Sequence, residues 1–221
     1  MYHSPINDHA PATGEFVVSL VGSEGSGTHA WLHSAALNAG PLASRNIADL
    51  LQLVGLLHGP HPDLIETVAE QNLACEADMW LAEASAGFAD ERDYIARLAV
   101  AAGPPPGTPG EAATVGALLA QRQALQMIAR SDRFGCALGA AAALMLDWMP
   151  IRAALDTAAA RLGVIPPPFG MPGAEAVAQT LSLLSPRERL DRSLAFGARQ
   201  VLQHHHGLLD LLETRAGARE D

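Results

Sequence analysis

Residues 134–163 read FGCALGAAAALMLDWMPIRAALDTAAARLG, and this stretch decides the fold. Phe134, Ala137, Leu138, Ala141, Leu144, Met145 and Trp148 recur at three- and four-residue spacing, the period of one helix face. Ala carries the smallest helical cost, and its small side chain lets neighbouring helices approach closely. Pro150 lacks an amide hydrogen, so it either opens another turn or kinks a continuous helix. Helical character resumes to Leu162, and Gly163 is the expected stop. The apolar run from Cys136 to Leu146 is 11 residues long, a length that suits a buried helix better than a membrane span.

The same period recurs on both sides. Ile47, Leu50, Leu51, Val54 and Leu57 predict a helix over about 45–57, ended by Gly59-Pro60-His61-Pro62. Asp63 and Glu66 form a capping-box signature, and the spacing predicts a helix from there to about Phe88. Ile65, Val68, Asn72, Cys75 and Met79 form its expected core stripe. A further helix is expected over about 91–101. After the GPPPG corner at 103–107, Thr108 to Glu111 is a second capping box. Val115, Leu118, Leu119, Arg122, Leu125 and Ile128 continue the stripe up to Ser131-Asp132. A second Pro-rich corner covers 165–173, and a short helix is expected over about 175–184. Ser185 to Glu188 is the third capping signature, and a long final helix to about Glu213 carries Leu190, Leu194, Val201, His205, Leu208 and Leu212.

Nearer the start, FVVSLV at 16–21 has strand-like β-branched content, but one short strand cannot form a sheet alone. It reads as an extended arm or the start of a helix. Residues 22–28, GSEGSGT, read as a flexible turn whose amide hydrogens can hold an anion, followed by a short helix over 29–39. The expectation is an all-α, multi-helix bundle of about eight helical segments, four of them long. It forms a single domain over 1–221, with 1–14 and 214–221 poorly ordered.

Composition narrows the function classes. The chain has 221 residues and a net charge of -10, and all 14 basic residues are Arg. Such a chain is repelled by nucleic-acid phosphates and anionic membranes, so neither is an expected partner. Without Lys it lacks Schiff-base and P-loop chemistry. Cys75 and Cys136 sit in apolar patterns with no CxxC, and read as buried reduced thiols. No basic region followed by an apolar run marks the N-terminus as a signal peptide, and the cytoplasm is the expected location.

Ionisable residues on apolar stripes are the candidate functional groups, because a buried charge needs a partner or a metal. Glu76 lies four after Asn72, three after Leu73 and three before Met79. It reads as a boundary carboxylate paired to Arg, or as an inward ligand. Glu70 shares a side with Glu66 and Leu73. His205 lies between Val201 and Leu208, while His204 and His206 point elsewhere. Asp147 reads as a cap for the turn at Pro150, or as a buried partner of His205 or an Arg. His29 with His33, and His58 with His61, are closely spaced pairs that need further ligands to hold a metal. Arg122 and Arg199, with Asn72, are the candidates for binding a small anionic or apolar ligand between helices.

Long helices with inward carboxylates over roughly 63–213 resemble the ferritin-like carboxylate bundles. That resemblance implies a metal site, with iron or another divalent cation, drawn from Glu70, Glu76, Asp147 and His205. The two Glu-x-x-His elements of that family are absent from this chain, which implies a degenerate bundle or a different ligand set. Two functions follow as expectations. One is a helical protein of binding or self-association, a homodimer in the simplest case. The alternative is a metal-binding protein or metal-dependent oxidoreductase.

Overall fold

The computed structural model describes residues 13–104, 107, 108, 110–133, 135–184 and 188–219. Eight α-helices follow in order: α1 (Thr13–Glu24), α2 (Ala43–His58), α3 (Leu64–Ala69), α4 (Cys75–Ala102), α5 (Glu111–Ala129), α6 (Cys136–Leu162), α7 (Ala174–Leu183) and α8 (Glu188–Gly217). Three 3-10 turns, Ser26–Thr28, Ala30–His33 and Ala35–Leu37, join α1 to α2. No β-strand occurs among the described residues. The fold is an all-α bundle with several long helices.

Helix α6 is the axis. Every residue from Cys136 to Met145 is buried, as expected of a helix that is apolar on all sides. By length and composition α6 could cross a membrane, but 78% of its apolar window is buried inside the bundle. It packs most extensively on α8, and also on α1, α3, α4 and α5. The α6–α8 crossing is set by two glycines. A Cβ on Gly139 would overlap the backbone carbonyl of Leu194, and one on Gly197 would overlap that of Cys136. Helix α6 runs unbroken through Pro150, and Gly163 ends it in the left-handed conformation at φ 68°.

Several boundaries differ from the sequence expectation, each for a local reason. FVVSLV is helical, because Val17, Leu20 and Val21 lie at helical spacing and all bury against the bundle. The 29–39 segment is two 3-10 turns, so His29 and His33 do not share an α-helical face. The capping box of Asp63 and Glu66 forms with both reciprocal bonds at 2.9 Å. Its helix stops at Ala69, where Asn72 adopts φ 50°, a left-handed conformation that Asn tolerates. Helix α4 then starts afresh at Cys75 and runs through 88–91 without a break.

Cys75 is consequently exposed on the first turn of α4, while Cys136 is buried as expected. Gly110, and not Thr108, occupies the position before α5. Thr108 instead accepts a hydrogen bond from Arg219 at 2.9 Å. Phe134 and the capping signature at 185–187 lie outside the described residues, as does 1–12. The tail expected to fray is helical to Gly217 and anchored: Arg215 donates to Asp49 at 2.8 and 2.9 Å, and Arg219 also pairs with Asp49.

Candidate metal centre

Two of the buried polar assemblies are built on α6. In the first, Asp147 of α6 is 1% exposed and accepts from the Ser26 amide at 2.7 Å, the Ser26 hydroxyl at 2.5 Å and His205 Nδ1 at 2.7 Å. His205 of α8 is fully buried, and its Nε2 lies 3.1 Å from Nε2 of His58 on α2. A carboxylate only accepts. His205 therefore carries a hydrogen on Nδ1, and its Nε2 shares one hydrogen with Nε2 of His58. His58 packs edge-on against Phe88 and Trp148, with ring centroids 6.1 and 5.3 Å away. It also lines a cavity of about 20 Å³ shared with Arg122 and Gln126, room for about one water.

In the second assembly, Glu91 of α4 is fully buried. It accepts from Trp148 Nε1 at 2.9 Å and pairs with Arg152. Arg152 also donates to Asp156 at 2.8 Å and to the Pro167 carbonyl at 2.7 Å. Burial raises the Glu91 pKa, against the lowering effect of Trp148 and Arg152. With its oxygens engaged by an Arg and an indole, Glu91 is committed as a structural anion.

Burial holds the His58 pKa well below the ordinary histidine value, with the neighbouring His205 and His204 acting in the same direction. The sign of the consequence is clear. Below pH 6.5, the ordinary value, unfolded His58 binds a proton that folded His58 refuses, so the unfolded state gains protons and stability falls as pH falls. The loss grows from about pH 6.5 down to the folded pKa and then levels off. The thermal midpoint should therefore drop between pH 7.5 and pH 5, and His58→Gln should flatten that slope.

Of the residues singled out in the sequence, the fold brings Asp147, His205 and His58 together and places Glu70, Asn72, Glu76 and Arg199 away from them. Asp147 sits inside an unbroken helix and caps no turn; the burial of its carboxylate beside His205 decides its role. Glu76 is exposed on the first turn of α4, where Cys75 Sγ donates to it at 3.3 Å. Glu70 and Asn72 are exposed at the α3–α4 break. Neither carboxylate faces the Asp147–His205 pair, because the break at 70–74 resets the helical phase on which their inward placement depended. Arg199 is exposed and paired with Glu24 at 3.0 Å. Arg122 is half-buried beside the small His58 cavity.

The metal-type cluster lies elsewhere. His29, Asp210 and Glu213 place one donor atom each within 4.8 Å of one another. His29 Nε2 is 3.1 Å from Asp210 Oδ1, and the side chains are 10% and 69% exposed respectively. Asp210 and Glu213 are three apart on α8 and so share a face. His29 caps the Ala30–His33 turn, its Nδ1 accepting from the Trp31 amide at 3.2 Å. Its ring stands edge-on to His206, with centroids 5.4 Å apart. One imidazole and two carboxylates are a donor set for a divalent transition metal. Both carboxylates are exposed. The Asp210-x-x-Glu213 spacing was legible on α8. His29 stands in the sequence as a candidate ligand beside His33, but its convergence with Asp210 was not legible, since 181 residues separate the two.

The chain belongs to a family described as a family of unknown function (DUF6975), whose sequence model matches residues 21–220. No curated protein and no solved structure matches it.

Proposed function

We propose that the protein binds a divalent transition-metal ion at His29, Asp210 and Glu213. The observation that carries this reading is the convergence of three donors, one from the 3-10 segment and two from α8, within 4.8 Å. Three protein ligands leave coordination positions open to solvent or substrate, so the site suits exchange or catalysis better than a closed structural role. Borderline ions such as Zn²⁺, Mn²⁺ and Fe²⁺ fit the mixture of imidazole and carboxylate.

Binding has a structural cost that makes it observable. His29 Nδ1 accepts from the Trp31 amide, so the neutral ring carries its hydrogen on Nε2, facing Asp210. A cation on Nε2 moves that hydrogen to Nδ1 and displaces the Trp31 amide, since two donors cannot face each other. The turn carrying Trp31 reorganises, and its indole fluorescence should change in step with metal uptake.

The test is calorimetric titration of chelator-treated, untagged protein with Mn²⁺, Zn²⁺ and anaerobic Fe²⁺. One ion per chain is expected, with affinity lowered at least about tenfold, or 1.4 kcal/mol, by His29→Ala and by the double change Asp210→Asn, Glu213→Gln. Wild-type protein that takes up none of these ions overturns the reading, as does uptake that the substitutions leave untouched. A ferritin-like oxidoreductase is the narrower version of this function. The inner carboxylate Glu91 is already held by Arg152 and Trp148, which favours metal chemistry at the surface cluster.

A further inference from the structure

We infer that Asp147 is the positioning residue of this metal centre, acting through Ser26 on the segment that carries His29; the inference rests on the metal reading above. Asp210 and Glu213 are fixed by α8. His29 sits on a connection of short 3-10 turns, which has no long helix to hold its register. What holds it is an anchor three residues earlier. Ser26 is fully buried and gives both its amide and its hydroxyl to Asp147. Gly25 lies against the same carboxylate: a Cβ there would overlap Asp147 Oδ1. The Gly25 carbonyl is bonded in turn by His206 Nε2 at 3.1 Å.

The anchor is tied back to the carboxylate ligands. Asp147 is oriented by His205, which stands on α8 five residues before Asp210. Helix α8 thus presents Asp210 and Glu213 outward and, through His205 and Asp147, holds the backbone that brings His29 to them. A side chain that touches no ligand therefore sets the distance between His29 and the two carboxylates. This explains a fully buried serine in a glycine-rich stretch with no apolar pattern of its own.

Calorimetric titration with Mn²⁺ and Zn²⁺, paired with amide hydrogen exchange, tests the anchor. Ser26→Ala removes one bond to Asp147. Asp147→Asn keeps the shape, but its amide must donate where the carboxylate accepted, which forces His205 onto the other tautomer, readable by ¹⁵N NMR. Leu98→Ala, in the core of α4, serves as the destabilised control. Both site variants should bind the ions about tenfold more weakly, with faster exchange over residues 26–29 and unchanged protection around 210–213. Leu98→Ala should bind as the wild type does. If wild type binds and both site variants bind equally well, the anchor is overturned and the metal site stands. If Leu98→Ala weakens binding as much as Ser26→Ala, the effect is general stability and the inference is overturned. Wild-type protein that binds neither ion overturns the metal reading itself, and the anchor with it.

Discussion

Glu91→Ala should lower stability by about 3–5 kcal/mol. The substitution leaves the Arg152 guanidinium, 5% exposed, without its buried counter-charge. It also orphans the indole hydrogen of Trp148, which is fully buried. Asp156 and the Pro167 carbonyl still hold part of the guanidinium, which places the loss within that range and not above it. Glu91→Gln should recover part of it, since an amide oxygen can accept from Trp148 but cannot neutralise Arg152. The paired change Glu91→Leu, Arg152→Met should recover more, because an apolar pair of similar volume avoids desolvating two ions. Urea unfolding of the four proteins measures all three steps. A double variant as unstable as Glu91→Ala would show that the pair contributes more than its own mutual compensation.

The second large effect is expected at the α6–α8 crossing. Gly197→Ala places a methyl group on the Cys136 carbonyl, and Gly139→Ala does the same to the Leu194 carbonyl. The obstructing atoms are backbone, so no side chain can swing aside and the helices must separate. Overpacking of this kind costs roughly 1–3 kcal/mol and occasionally more, and Gly197→Ala belongs at the top of that range. For a chain of this size that is a fall in Tm of about 6–12 °C. The two substitutions should not add. Once one methyl has widened the crossing, the second meets less resistance, so the double variant should lose less than the sum. Additive losses in thermal unfolding would mean that each glycine answers to a separate local constraint.

The candidate site divides the same way as the fold between what is local and what is not. Asp147 and His205 could be picked out because each interrupts an apolar stripe on a helix that the sequence defines well. Glu91 obeys the same rule, lying three after Phe88 and three before Tyr94. It was missed because the expected helix boundary fell at 88–91, where α4 is in fact continuous. Glu76 was misplaced for the opposite reason: continuity was assumed across 70–74, where Asn72 breaks it. A stripe argument is only as good as the phase it counts from. Ser26 had no stripe to interrupt. Its role depends wholly on a carboxylate 121 residues away.

The sequence by itself determined the all-α class, the apolar helix that begins at Cys136, the Asp63 capping box and the Gly163 stop. All of these arise from interactions within a few residues, and spacing records them directly. Only the tertiary structure decided which helices meet. It joined Asp147 to His205 and His58, set Ser26 beneath His29, and brought His29 to Asp210 and Glu213. Periodicity orders side chains around one helix axis, but it carries no information about the rotation of a neighbouring helix or the path of a connecting turn. Those are settled by packing, where two glycines fix how closely α6 and α8 approach and one buried carboxylate fixes the segment that lies across them.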